Sequence, residues 1–182
     1  MIKMKESHVM IDLETMGLNP SSAIVSIGAV IFDPRFNSVT DQQFYVELDW
    51  KNQNREINKD TTQWWRKQSK ETKEALKGTI SLEDALDDLS LWLPNNCKVW
   101  GNGPTFDITK LEDAYIQYDM EIPWNFWNIR DCRTIKDIYE SARGGLSNQV
   151  GPIGSGAHNA LNDAIYQATY VCKMWKSILG GK

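Results

Sequence analysis

The residues able to do chemistry in this chain fall into three short clusters: Asp12 and Glu14 in MIDLETMG, Asp107 in NGPTFD, and His158 with Asp163 in HNALNDA. Four carboxylates and one imidazole, each cluster beside an apolar strand or helix signal, are the side chains needed to hold two divalent metals against a phosphodiester. Asp12 and Glu14 close the apolar run Val9-Met10-Ile11, with Leu13 between them, so the segment reads as a strand that continues through Glu14. Alternate residues of a strand share a face, which places both acids on the same side. Two like charges held that close in an apolar element repel and raise one pKa unless a cation or base neutralises them. A strand edge with solvated acids is the bland alternative for this pair taken alone.

Asp107 follows the short strand Lys98-Val99-Trp100 across a loop containing Gly101, Gly103 and Pro104, and it opens a helix expected over 107–118. An acid at a helix N-terminus is also a good cap, so ligand and cap both stay open for Asp107. His158 and Asp163 follow the Gly-rich stretch 144–156 and open the last helix. At about 100° per residue they are about 140° apart and share no helical face, which assigns His158 to the loop or first turn, leaning over the site. Ala160, Ala164 and Ala168 form a small-residue stripe that lets this helix approach a sheet closely, with Asp163 at its edge.

The elements that must position these residues are legible from patterning. Residues 7–14, 22–32 and 39–50 read as three successive strands with short links, the second bounded by the Asn19-Pro20 and Asp33-Pro34 turns. Residues 60–92 turn helical with breaks near Lys70 and Gly78, and Ser81 with Asp84 resembles a capping box opening the helix of Leu82, Ala85, Leu86, Leu89 and Leu93. A strand at 98–100, the 107–118 helix, a strand around 127–131 and a helix at 133–141 complete an alternating half. The last helix carries Leu161, Ile165, Ala168, Cys172, Trp175 and Leu179 as a core stripe. The expected class is α/β: a mixed central sheet, an antiparallel three-strand meander followed by parallel strands, with helices on both faces. No repeat, low-complexity tract or linker is visible, and Gly180-Gly181-Lys182 reads as a frayed end.

Composition sets outer bounds. At 182 residues the chain suits one well-buried domain. No hydrophobic stretch reaches the length of a membrane span, and Met1-Ile2-Lys3-Met4-Lys5 is followed by no apolar core, so the expected location is cytoplasmic with no membrane partner. Cys97, Cys132 and Cys172 are odd in number and widely spaced, which fits reduced thiols and argues against a disulfide scaffold or zinc knuckle. A net charge of −4 is unlike a protein that grips a long duplex; one holding only the last few nucleotides needs fewer cations. Arg66, Lys67, Lys70, Lys73 and Lys77 form the densest basic run, and Arg130, Arg133, Lys136 and Arg143 the second; solvated helix faces are the commoner reading of both. Eight tryptophans serve either base stacking or the core, and Trp64 and Trp65 are the pair of interest.

The set resembles the DEDDh branch of the 3′-5′ exonuclease superfamily, the proofreading-exonuclease-like enzymes with a ribonuclease H-like fold. D-x-E stands as Asp12 and Glu14, N-x-x-x-F-D as Asn102 to Asp107, and H-x-A-x-x-D-A as His158, Ala160, Asp163 and Ala164, in the family's order. A closer resemblance is to phage- and prophage-type exonucleases and their 3′-5′ exoribonuclease relatives, through Thr62-Gln63-Trp64-Trp65 and Arg130-Asp131-Cys132-Arg133-Thr134. The resemblance implies one 3′-5′ exonuclease domain over residues 1–182 that releases nucleoside 5′-monophosphates from single-stranded RNA or DNA 3′ ends, RNA slightly favoured. It implies two Mg²⁺ or Mn²⁺ ions held by Asp12, Glu14, Asp107 and Asp163; oxygen-only donors do not suit zinc. His158 would be the general base, because imidazole trades protons near neutral pH. Backbone around Leu13, Thr15 and Met16 would line the terminal nucleotide's pocket, and Trp65, Phe106 and Arg133 are further expected substrate contacts. Many relatives are dimers, which makes a homodimer an expectation too.

Two other classes compete. A catalytically silent nucleic-acid-binding module on the same fold would ordinarily have lost one of the five residues, and none is missing. An acidic interaction protein with accidental motifs would show no EDTA-sensitive phosphodiesterase activity.

Overall fold

The computed structural model describes residues 7–142 and 158–180. The Gly-rich stretch 144–156, Arg143 and the extreme termini lie outside the described residues. Five strands form one sheet in the order β3-β2-β1-β4-β5. Strands β1 (His8–Thr15), β2 (Ile24–Asp33) and β3 (Ser38–Glu47) are the antiparallel meander, and β4 (Lys98–Gly101) and β5 (Ile129–Asp131) add to β1 in parallel. This is the mixed sheet that the patterning predicts.

Every residue of β2 is buried, as a strand covered on both faces must be. On one face α2 (Leu82–Trp92) and α3 (Pro104–Gln117) pack over Val9, Ile11, Leu13, Ile27, Ala29 and Ile31. On the other, α4 (Cys132–Ala142) and α5 (Ala160–Leu179) pack over Met10, Val30, Phe32 and Trp100. The alternation in β1 therefore assigns Asp12 and Glu14 to the face that carries α5, as continuations of the Met10 side. A third, smaller cluster of Met16, Ala23, Val25, Trp65 and Ala75 seats α1 (Lys59–Arg66) and the 3₁₀ turn Thr72–Lys77. Among the described residues no helix is long and apolar enough to cross a membrane.

Several boundaries differ from the sequence-based expectation. The third strand stops at Glu47, because Leu48 is drawn into an isolated bridge with Ile80 and the chain turns through Trp50–Asn52. Trp127 lies in the 3₁₀ turn Phe126–Asn128, which leaves β5 shorter than 127–131. Helix α3 begins at Pro104, so Asp107 does not open it: a proline's fixed φ and missing N–H suit the first helical position, and Gly103 before it adopts φ +92°. The cap at Ser81 is as expected, its Oγ accepting from the Asp84 N–H at 3.0 Å.

The close approach of α5 to the sheet depends on Gly28, which pairs with Asp12 across β1 and β2. A Cβ on Gly28 would fall inside the contact shell of the Ala160 carbonyl and the Leu161 nitrogen, both backbone atoms that cannot swing aside. Ala160, Ala164 and Ala168, all fully buried, continue that contact along the helix. Gly28→Ala is expected to destabilise the fold by about 1–3 kcal/mol through overpacking, read as a lower urea midpoint; an unchanged midpoint would show that the helix has room to move.

Candidate active site

Close packing at Gly28 delivers the first turn of α5 to the end of β1. Asp12, Glu14 and Asp163 there offer carboxylate oxygens that all lie within 4.8 Å of one another. Asp107 arrives from the opposite layer. The parallel pairing of β1 with β4 runs only from His8 to Met10, so the backbone beyond it is open on that side. The Leu13 N–H in that gap donates to Asp107 Oδ1 at 3.3 Å. Asp107 is thus tied to β1 rather than serving as a helix cap, and it stands outside the 4.8 Å group while its charge reaches Asp12.

Burial and crowding push these acids toward their protonated forms. Asp12 is held well above the ordinary carboxylate range, by burial first, then by the charge of Asp107, with Glu14 and Asp163 adding to it. Glu14 is pushed up to about 8, by burial and by Asp163 and Asp107. Asp107 rises to about 7 through burial, opposed by the Leu13 N–H, Lys110 and Arg133. Buried oxygens that repel one another are what a hard divalent cation relieves, and the donor set contains no sulfur. The acidic cluster therefore fits a divalent metal.

Two neighbours of the acids escaped sequence reasoning. Gln167 Nε2 donates to Asp12 Oδ1 at 2.7 Å. Lys110, with no exposed surface, donates to the Leu18 carbonyl at 3.0 Å and places its ammonium 3.4 Å from the centre of the Phe106 ring. Burial lowers its pKa to about 8. The available signal was spacing: Gln167 is one helical turn beyond Asp163, and Lys110 three residues beyond Asp107.

Asp12, Glu14 and Asp163 line a cleft of about 910 Å³ together with Leu13, Thr15, Phe106 and His158, and Asp107 lies buried behind its wall. His158 is exposed, has φ +49°, and lies two residues before α5, outside the helix. Its ring meets Trp64 edge-on, with centroids 4.7 Å apart.

Three expected substrate contacts are placed elsewhere. Trp65 does not line the cleft: it is 1% exposed, and its Nε1 donates to the Thr15 carbonyl at 3.0 Å. Successive helical residues point about 100° apart, so only one of the tryptophan pair can face the cleft, and that is Trp64. Met16 is buried in the Trp65 cluster, and its backbone is used within the fold, donating to Ala23 and accepting from Asn58 at 2.8 Å each. Arg133 lies outside the cleft wall, its guanidinium beside the Gly103 backbone, with only its charge felt at Asp107.

The basic runs are partly engaged in local contacts. Lys77 pairs with Glu74, Lys136 with Glu140, and Arg130 donates to the Trp127 and Ile129 carbonyls. Cys97, Cys132 and Cys172 are free and buried.

Comparison with known proteins places the chain. A family model described as the 3′-5′ exoribonuclease Rv2179c-like domain matches residues 7–175. An exodeoxyribonuclease of Enterobacteria phage T4 is 27% identical, with 68% of each chain covered. Among solved structures, cell-death related nuclease 4 (CRN-4) superposes with a TM-score of 0.69 at 11% identity, over 97% of this chain and 64% of that one. The zinc-bound complex of E. coli exonuclease I with single-stranded DNA superposes with a TM-score of 0.71 at 13% identity, over 97% of this chain and 41% of that one. The chain thus spans less than two thirds of either structure, and the likeness gives it their ribonuclease H-like fold.

The raised acids fix the sign of a pH dependence. Glu14 would ordinarily titrate near 4.5 and stands at about 8, so its contribution to stability is whole below about pH 4.5 and is lost as the pH rises through about 8. In EDTA, Tm is expected to fall across that window, Mg²⁺ to restore it at the upper end, and Glu14→Gln to flatten the slope. A metal-free Tm that rises with pH there would contradict the crowding of these carboxylates.

Proposed function

The chain belongs to the 3′-5′ exoribonuclease Rv2179c-like domain family, and from that premise we propose that it is a single-domain, metal-dependent 3′-5′ exonuclease. It removes nucleoside 5′-monophosphates from single-stranded 3′ ends, with RNA slightly favoured over DNA. The observation that carries this reading is the convergence of Asp12, Glu14 and Asp163 within 4.8 Å on the wall of the cleft. Asp12, Glu14 and Asp163, with Asp107 beside them, are the residues that would hold two ions, and oxygen donors favour Mg²⁺ or Mn²⁺ over zinc. Bound there, the ions supply positive charge to the scissile phosphate and to the attacking and departing oxygens.

The chain's own residues do the rest. His158, at the exposed mouth of the cleft, takes the proton of the attacking water, and Trp64 against its ring limits where the imidazole can swing. The backbone at Leu13 and Thr15 bounds the terminal nucleotide. Leu18, 80% exposed, and Ile57, with Trp64 and Phe106, offer apolar surface for a base and ribose, while Lys110 underlies Phe106. Local positive charge at the phosphate lets an acidic protein hold a polyanion by its last few nucleotides only.

A time course on 3′- and 5′-labelled single-stranded RNA and DNA of one sequence, with Mg²⁺ and then Mn²⁺, tests polarity, sugar and metal together. Stepwise loss from the 3′ end that stops with EDTA is expected; internal cleavage or EDTA-insensitive hydrolysis rejects the reading. Asp12→Ala should lower turnover about a thousandfold or more, the loss of several kcal/mol of charge stabilisation, with a folded circular-dichroism spectrum. Trp64→Ala should raise KM about tenfold, as for one lost stacking contact, and a KM equal to that of the wild type would remove Trp64 from the substrate path.

A further inference from the structure

Gln167 belongs to none of the clusters that suggest an active site, yet it lines the same cleft and touches its central acid. Its Nε2 donates to Asp12 Oδ1 at 2.7 Å. The residue is 5% exposed, and its Oε1 is buried with no hydrogen-bond partner among the described residues. Buried amide oxygens are rarely left this way, and the neighbouring inward positions of α5, Ala164, Ala168 and Val171, are apolar. An amide here is therefore chemically particular.

Its neutrality is the telling property. A lysine or arginine at this position would neutralise Asp12 and compete with a metal for it, whereas a carboxylate would add to the repulsion already present. An amide anchors Asp12 through its N–H and adds an oxygen without adding charge. One helical turn from Asp163, it is carried by the same seat of α5 on the sheet that brings that acid in.

We propose that Gln167 is a positioning residue of the cation site, its Nε2 fixing the Asp12 carboxylate and its Oε1 supplying one further neutral oxygen to the ion's surroundings. The inference rests on the metal-dependent function proposed above. Residues that orient metal ligands in this way change affinity by about tenfold to a hundredfold when removed.

The test compares wild type with Gln167→Met, which keeps length and volume but neither hydrogen-bonding group, and Gln167→Asn, whose amide is one methylene short. Mn²⁺ uptake is measured by electron paramagnetic resonance of the free ion, alongside metal-free Tm and steady-state kinetics on a single-stranded oligonucleotide. Both variants are expected to bind Mn²⁺ about tenfold to a hundredfold more weakly, and to need correspondingly more Mn²⁺ for half-maximal rate. KM for the oligonucleotide at saturating Mn²⁺ should stay unchanged. A folded Gln167→Met protein that binds Mn²⁺ as wild type does makes Gln167 a space-filler and overturns the inference alone; should that variant fail to fold, wild-type Mn²⁺ affinity in Gln167→Asn overturns it equally. A wild-type protein that takes up no Mn²⁺ and hydrolyses nothing overturns the proposed function first, and this inference with it.

Discussion

Like charges held together against their mutual repulsion are the constraint from which the rest of this molecule follows. Asp12, Glu14 and Asp163 bring oxygens within 4.8 Å of each other in surroundings that burial makes hostile to charge. No short element could hold such a set, because each acid would swing toward solvent. The fold prevents that by placing two of them on a central strand covered by helices on both faces and the third on a helix seated on backbone. Gly28 matters for that reason: it leaves out a Cβ that would part α5 from the sheet opposite Asp12.

The partners of these acids are correspondingly restrained. Gln167 binds Asp12 without a charge of its own, and the Leu13 amide binds Asp107. Lys110, the buried cation nearby, is occupied by the Leu18 carbonyl and the Phe106 ring, so it tempers the field at Asp107 without sealing the acids into an ion pair. A site fully neutralised by the protein would have little affinity left for a metal. Incomplete compensation leaves the remainder of the stabilisation to the ligand.

The cleft around the acids divides the labour between charge and shape. In the proposed reaction its acidic wall would meet the phosphodiester, which RNA and DNA share, so the carboxylates themselves would not discriminate between sugars. The rest of the lining includes Asn19, Ser22, Glu56 and Asn58, polar residues beside Leu18 and Ile57. The Asn19 amide donates to Glu56 at 2.8 Å, which fixes one of these groups in place.

What the amino-acid order determined by itself was periodicity and local chemistry. Alternation in residues 8–15 put Asp12 and Glu14 on one face, the alanine stripe announced a close helix, and the strand and helix sequence announced the mixed sheet. These are short-range properties, set by side-chain spacing along one element. The tertiary structure alone decided which tryptophan faces the cleft, since Trp64 and Trp65 are equivalent in sequence and differ only in what packs beside them. It also decided that Met16 and Arg133 stand apart from the cleft, and that Asp107 answers the Leu13 amide instead of capping its own helix. Gln167 and Lys110 stand at helical spacing from Asp163 and Asp107, yet spacing names no partner: the groups they touch lie 155 positions away for Gln167 and 92 for Lys110, and only folding brings them together.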